Sequence, residues 1–588
     1  MDYKQLAERL FPDVTTTVDD LEARYPARDL AEGAMITRLG PSPTGFIHIG
    51  NLYGALIDER LAHQSGGKFL LRIEDTDDKR KVEGAEALII RAMEYFGIHF
   101  DEGVTLSGDK GDYGPYHQSE RVEIYQAVAK QLVAQGKAYP SFATEEDLAK
   151  IREAQEAQKL NTGYYGKWAM DRNLTLEEIE EKLAAGEEWT LRLRADGNPE
   201  ETRAIPDGIR GHVTIHPNDQ DFVLLKTNGV PTYHLAHVCD DHFMRVTHVV
   251  RGEEWLATLP FHIELFETLG WEHPVYCHTA HLMKIDEAGT RRKLSKRKDP
   301  EMALSFYEEK GFFPEAVREY IMILLNSDYE EWRLANPDMP LEDFPVHLDK
   351  MATSGALFDM VKLEDVSKET LVRLDEATIA DFVIAWAEKY QPDVARVIAP
   401  QRDDFVKLLA IGRYGKKPRK DLMNAEQIVQ FTKYFFDEWF TQEDALPENI
   451  PAEEAAAILE DYLATYDHTD DNETWFGKIR TITEERGYAV RPKDYKKNPD
   501  AYKGHVGDVS TVVRLAITGR RNSPDIWAIQ QVLGEEKTIA RVKQMIAASR
   551  QYGVTLMEAM KPTLTPNFRV LREALPKAGV IRRYFASY

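Results

Sequence analysis

The sequence predicts an α/β protein whose parallel sheet is interrupted by an α+β insertion and followed by an all-helical second half. Residues 34–39 and the run Lys68-Phe69-Leu70-Leu71-Arg72-Ile73 are short and mostly apolar, with a helix-like stretch between them. Strand, helix and strand within about forty residues read as a βαβ crossover, hence as a parallel sheet. Between about residues 115 and 225 the texture shifts to mixed helices and strands, and beyond about residue 330 the sheet signals fade into helical patterns.

At 588 residues the chain exceeds what one hydrophobic core supports, so several domains are expected. Its formal net charge of −25 argues against a generally basic nucleic-acid coat while leaving room for a local basic face. Apolar residues make up 43%, an ordinary globular share that argues against wholesale disorder. No run approaches the length of a membrane span, and the start Met1-Asp2-Tyr3-Lys4 lacks a charged-then-apolar leader pattern. Cys239 and Cys277 are the only cysteines, too few for a disulfide framework or a four-thiolate zinc site. A cytoplasmic protein with no membrane partner is expected.

Residues 1–33 form a short amphipathic prelude with Leu6 and Leu10 at helical spacing. The first strand runs into Arg38-Leu39-Gly40-Pro41-Ser42-Pro43-Thr44-Gly45-Phe46-Ile47-His48-Ile49-Gly50-Asn51, whose prolines and glycines continue neither a strand nor a helix. From Asn51 the spacing of Leu52, Leu56 and Leu61 predicts a helix with one apolar side, ended by Gly66-Gly67. Histidine and glycine at that helix start gather N–H groups, a positive dipole end and an imidazole around one point, which suits a phosphate. Taken alone, the turn equally suits an ordinary strand-to-helix loop. The second strand ends in Glu74-Asp75-Thr76-Asp77. Ligands of open parallel sheets bind beyond the carboxyl ends of strands, where this cluster and the proline-glycine turn both fall. Asp77 or Asp78 also suits a helix N-cap, whereas Glu74 is still in line with the strand. Val82, Ala85, Leu88, Ile89, Ala92 and Phe96 mark the next helix, which Gly97 stops.

In the insertion, Val128 and Leu132 lie on a helix ended by Gly136, and Thr144 with Asp147 and Thr175 with Glu178 resemble capping boxes. Residues 190–194 alternate like an exposed strand, and the sheet pattern returns at Phe222-Val223-Leu224-Leu225. Asp240 and Asp241, with histidines on either side, suit a metal but lack a matching ligand cluster elsewhere. A strand over residues 246–250 ends in Arg251-Gly252-Glu253-Glu254; a helix from Thr258 stops at Gly270, and residues 275–277 suit a further strand. The segment Arg291-Arg292-Lys293-Leu294-Ser295-Lys296-Arg297-Lys298 is basic in an acidic chain. It reads either as a solvated loop or as one whose ammonium groups clamp a polyphosphate as negative charge grows. In the helical half, Lys416-Lys417-Pro418-Arg419-Lys420, residues 491–497 and Arg520-Arg521 are basic clusters accompanied by Tyr414, Tyr488 and Tyr495, compatible with RNA contacts.

Taken together, these residues resemble the class I aminoacyl-tRNA synthetases. Pro43-Thr44-Gly45-Phe46-Ile47-His48-Ile49-Gly50-Asn51 matches the HIGH-type signature and Lys293-Leu294-Ser295-Lys296-Arg297 the KMSKS-type loop, in this order on the two halves of an interrupted sheet. Within the class, residues 38–48, 71–77, 233–236 and 250–254 are similar to the glutamate-specific members, and the resemblance runs from about residue 34 to 548. Glutamine-specific members typically differ at the Glu74 segment and carry a β-barrel C-terminal half. The signature departs from the family by ending in Asn51 instead of the more frequent glycine, and His237 stands where many members have asparagine. The Lys362 to Lys368 segment lacks an expected tryptophan and asparagine, and the cysteines of zinc-bearing members are missing.

The resemblance implies a Rossmann-like catalytic domain over residues 34–330 with an acceptor-stem-binding insertion at 115–225. Around it are expected an N-terminal extension at 1–33, a helical linker at 331–400 and a helical anticodon-binding domain at 401–588. The implied reaction is ATP-dependent activation of L-glutamate to glutamyl-adenylate and transfer to the 3′ end of tRNA(Glu), with Mg2+ accompanying ATP, no zinc, and a monomeric enzyme. His48, Lys293 and Lys296 are implied as catalytic. Thr44, His48, Gly50, Asn51, Ser295 and Lys296 are implied to bind ATP, and Arg38, Ser42, Glu74, Tyr233, His237 and Arg251 to bind glutamate. The chemistry agrees: a guanidinium fork matches the substrate's side-chain carboxylate, and Glu74 suits its α-ammonium group. A glutamine-charging or non-discriminating relative and a catalytically silent tRNA-binding paralogue are the rival readings.

Overall fold

The computed structural model describes residues 1–77 and 81–560; Asp78, one of the two possible helix caps, and residues 561–588 lie outside the described residues. Strands β1 (Ile36–Leu39), β2 (Lys68–Leu71) and β3 (Glu102–Thr105) are parallel neighbours, and β4 (Gly108–Lys110) closes that edge antiparallel. The Ile49–Gln64 helix crosses from β1 to β2. It is buried on nearly every side, charged Asp58, Glu59 and Arg60 included, where the leucine spacing suggests a single apolar side. The reason is position: it packs against β1, β2, the strand His248–Gly252 and the Pro314–Leu325 helix. The following helix spans Ala85–Tyr95 and starts after Gly84 at φ +77°, leaving Val82 outside it and Leu88 half exposed on it.

Three strands of the inserted region, β5 (Ala138–Ser141), β6 (Thr190–Leu193) and β9 (Val223–Leu225), form a small antiparallel sheet of their own, with β6 in the middle. Two expectations change here. β6 is buried instead of exposed, because the Arg192 guanidinium lies 4.0 Å over the Tyr164 ring, which lets a charged residue occupy a covered position. β9 belongs to this sheet and not to the main one, since an apolar run of three or four residues does not encode its partner. The hairpin β7 (Arg203–Asp207) and β8 (Gly211–Ile215) pairs instead with β11 (Val275–Thr279), which lies parallel to β10 (His248–Gly252).

Thr247, just ahead of β10, joins the two sets of strands. Its N–H donates to Ile36 O at 3.0 Å, and its Oγ1 accepts the Ile36 N–H at 2.8 Å. Strand order therefore runs outward from β1 to β2 and β3 on one side, and from β10 to β11 and β7 on the other. This is the topological switch beside which open α/β sheets hold ligands.

The chain separates into two compact units, Met1–Glu308 with Phe313–Val366, and Glu309–Phe312 with Ser367–Tyr588. The second is built from helices; its Ala452–Thr465 helix lies along the Glu535–Met560 helix, over a core that includes Ile458, Ile479, Val512 and Leu515. Its basic clusters differ in availability. Arg520 pairs with Glu443 at 2.7 Å and Arg521 donates to the carbonyls of Ala445 and Leu446, so both hold loops together. Lys416, Lys417, Lys493, Lys496 and Lys497 are exposed. Tyr414 is 69% exposed, whereas Tyr488 is in the core and Tyr495 packs edge-on to His505. No described helix is long and apolar enough to cross a membrane.

Candidate active site

β1, β2 and β10 end side by side, and each delivers charge to the same place. Arg38 on β1 donates through Nε to both oxygens of Asp241 at 3.2 and 3.3 Å. Arg72, just past β2, donates to Asp241 Oδ1 at 2.7 Å and to Glu74 Oε1 at 3.1 Å. Asp241 and Asp240 sit on the Tyr233–Phe243 helix, and Asp240 accepts from Arg121 at 2.6 Å, Tyr125 at 2.9 Å and Gln118 at 2.9 Å. This pair of aspartates is therefore not an open metal site; both are buried counter-ions. Burial would raise Asp241, but Arg38 and Arg72 hold it well below the ordinary carboxylate range.

Glu74 is raised by its own burial, against the pull of Arg72 and Arg38. Its Oε1 sits where a side chain at residue 40 would begin: a Cβ on Gly40 would lie 2.4 Å from that oxygen. Tyr233 stacks on His237 at 5.5 Å and lies 4.4 Å from Trp255. His237 is fully buried behind it, with Nε2 3.0 Å from the Tyr276 hydroxyl and Nδ1 2.8 Å from Asp241. Both ring nitrogens of His237 face protein groups, so it stands behind Tyr233 and not at the open side.

Arg251, the last buried residue of β10, has no carboxylate within ion-pair distance among the described residues. Its Nε donates to His278 Nε2 at 3.0 Å, its Nη1 to His262 Nδ1 at 3.1 Å, and its guanidinium lies 4.5 Å over the Tyr276 ring. Nη2 is buried with no partner. The nearby acids are taken elsewhere, Glu253 by Arg210 at 2.7 Å and Asp75 by Ser119 and Lys81.

On the other side of the turn, Ser42, Thr44, Phe46, His48 and Asn51 line a pocket of about 220 Å³. His48 caps the Ile49–Gln64 helix, and its N–H donates to Asn51 Oδ1 at 3.0 Å. Asn51, the family departure, therefore serves as a cap. Its own N–H donates to His48 O at 2.8 Å, which leaves the Gly50 N–H as the donor of that pair still available to an anion. A Cβ at Gly50 would lie 2.8 Å from His48 Nδ1, a buried atom with no partner. Burial, with the nearby ammoniums of Lys293 and Lys296, holds the His48 pKa below its usual value.

The basic segment reaches this histidine. His48 bridges to Ala303, Leu304 N–H donates to Ile47 O at 3.1 Å, and Lys296 Nζ lies 3.9 Å over the Phe46 ring. Asp299, which composition gave no reason to single out, anchors the loop: it receives Arg292 bidentately at 2.7 and 2.8 Å and the Ser295 N–H at 2.8 Å. Leu294 is buried, while Lys293 and Lys296 stay exposed.

With that geometry in hand, the comparisons are specific. The family model "tRNA synthetases class I (E and Q), catalytic domain" matches residues 34–364, and an "Anticodon binding domain" model matches residues 499–546. The chain belongs to this class I tRNA synthetase family. A glutamate–tRNA ligase of Acetivibrio thermocellus is 59% identical over 93% of this chain and 100% of its own. One of Clostridium perfringens strain SM101 is 46% identical over the same shares. Among solved structures, a glutamate tRNA ligase from Elizabethkingia meningosepticum, in complex with its amino acid, superposes with a TM-score of 0.68 at 26% identity, covering 87% of this chain and 99% of that one.

Within this synthetase fold the structure gathers Arg38, Glu74, Tyr233, His237 and Arg251 at the strand ends, and His48, Gly50, Asn51, Thr44, Ser42 and Lys296 around the turn. The partners His262, Tyr276, His278 and Asp299 were not legible as site residues, and Asp240 and Asp241 stood out only as a possible metal pair, whereas they serve as counter-ions of buried arginines. The one signal was indirect: an arginine at a buried strand end requires a partner somewhere in the chain.

Proposed function

We propose that the chain is a glutamate–tRNA ligase that joins L-glutamate to tRNA(Glu) in two steps. A carboxylate oxygen of glutamate attacks the α-phosphorus of ATP and expels pyrophosphate; a hydroxyl of the terminal adenosine of tRNA then attacks the acyl carbonyl and releases AMP. The observation that carries the reading is a buried guanidinium edge, on Arg251, with no counter-ion, beside Tyr233 and Glu74 at the switch point. A substrate carboxylate supplies that counter-ion with two parallel hydrogen bonds. Arg38, with Nε fixed on Asp241, and Tyr233 complete that end, and the oxygen of Glu74 not bonded to Arg72 takes the α-ammonium group.

Thr44 and Asn51 border the ATP side; Ser42, read as a glutamate contact, lines the same pocket as these two. Neutral His48 and the Gly50 N–H hold the α-phosphate, and Lys293, Ser295 and Lys296 meet the β- and γ-phosphates, where charge grows. The turn and the basic segment offer donors and cations, and Asp299 beside the segment is already taken by Arg292 and the Ser295 N–H. This suits ATP entering as its magnesium complex, with the ion held by phosphates and water. The inserted region grips the acceptor end and the helical unit reads the anticodon, supported there by the exposed lysines and the anticodon-binding match.

Amino-acid-dependent ATP–pyrophosphate exchange, with and without tRNA, tests the reading. Exchange with glutamate is expected; exchange with glutamine at a comparable rate selects the glutamine-charging relative, charging of tRNA(Gln) with glutamate selects the non-discriminating one, and no exchange with either amino acid selects the silent paralogue.

A further inference from the structure

We infer that His262 and His278 are positioning residues that hold Arg251 as neutral acceptors and leave its charge uncancelled, so that acid is preferred over amide at the substrate's side chain. The inference rests on the assignment of Arg251 to that side chain, and concerns how the protein keeps the arginine ready for it.

Buried arginines crowd this part of the molecule, and their treatment differs. Arg38, Arg72 and Arg121 each meet an aspartate at 2.6 to 3.2 Å. Arg251 meets two imidazole nitrogens and a tyrosine ring. A guanidinium has donors only and stays charged, so each facing nitrogen must offer a lone pair. The network then fixes both tautomers. His278 accepts from Arg251 on Nε2 and donates from Nδ1 to Asp207 Oδ2 at 2.7 Å. His262 accepts from Arg251 on Nδ1 and donates from Nε2 to His234 Nδ1 at 3.0 Å. Protonating either ring would set an N–H against an N–H.

Asp207, contributed by β7, thus orients His278 while staying one ring away from the guanidinium. The Asp207 carboxyl is itself tied down by the N–H groups of Ile209 and Arg210. Burial, and then the Arg251 charge, disfavour the imidazolium form of His234; burial and Asp207 pull oppositely on His278, with burial prevailing. The arrangement fixes Nε and Nη1 of the guanidinium and leaves the buried Nη2 without a partner. A direct carboxylate partner would fix it equally well but cancel its charge, and a substrate amide would then meet the same field as a carboxylate.

The test compares His262→Asp with His262→Asn in the full chain, by ATP–pyrophosphate exchange with glutamate and with glutamine in the presence of tRNA. Asparagine restores a neutral acceptor at the Nδ1 position; aspartate adds a counter-ion there. The aspartate variant is expected to raise the glutamate KM by about 10²-fold or more and to lower the glutamate-over-glutamine ratio of kcat/KM by a similar factor. The KM for ATP should move far less, and asparagine should recover most of the loss. Equal glutamate KM and equal ratios in the two variants would overturn the inference while wild-type activity on glutamate upheld the site reading; a wild-type chain inactive on glutamate would overturn the reading itself. Should the charged variant not fold, nitrogen-15 spectra of histidine-labelled wild type at pH 6 decide. His262 protonated on Nε2 and His278 on Nδ1 support the inference, and an imidazolium signal from either contradicts it.

Discussion

Arg38 and Arg251 leave neighbouring strand ends, yet one is neutralised by Asp241 and the other is held by uncharged rings. That difference was invisible in the sequence because the partners are remote: Asp241 lies 203 residues from Arg38. His48, Lys293 and Lys296 were legible because a proline-glycine turn and a basic run in an acidic chain stand out locally. Their roles lead to a first prediction. Lys296→Ala should lower the rate of glutamate activation about 10²–10³-fold, with circular dichroism unchanged and the melting temperature little changed, because the ammonium is exposed and what the fold loses is its contact with the Phe46 ring. The buried imidazoles give a second. Burial holds His234 and His237 at a pKa of about 4 in place of 6.5. The unfolded chain therefore binds more protons than the folded one between these values, and stability must fall as pH drops through that window. Each contributes about 2 kcal/mol between pH 7 and pH 5. Urea unfolding at the two pH values should show the loss; a midpoint that rises on acidification would contradict it.

At the scale of elements, the turn between β1 and its helix carries more than one function in few residues. Gly40 lets Glu74 approach the backbone, Asn51 closes the helix start, and Gly50 leaves room for the His48 ring. Gly40→Ala should displace Glu74 and raise the glutamate KM at least tenfold, roughly the effect of one weakened charged hydrogen bond. It should change the ATP KM far less, and an unchanged glutamate KM would remove Glu74 from the α-ammonium site. The strands were read correctly where an apolar run led into an abrupt cluster, as at β2 and β10. One was misplaced where pairing is long-range, since β9 joins β6, and the β7–β8 hairpin that joins β11 was not read as strands at all. Pairing partners are set by tertiary packing, which short apolar runs do not record.

For the whole molecule, a formal charge of −25 and a polyanionic partner are reconciled by distribution. Lys416, Lys417, Lys493, Lys496 and Lys497 remain exposed, while Arg520 and Arg521 are used inside the fold. Affinity for tRNA should fall steeply with salt. Replacing Lys416 and Lys417 by alanine should reduce the slope of log K against log salt by about 0.7–0.9 for each phosphate left without its lysine. A slope that does not change would remove these two lysines from the tRNA contact. The central claim is that an arginine without a protein counter-ion selects an acidic substrate. Exchange kinetics of the full chain with tRNA(Glu), run in parallel on glutamate and glutamine, test it most directly: the account predicts a kcat/KM for glutamate at least about 10³-fold above that for glutamine. Comparable values for the two amino acids would contradict it.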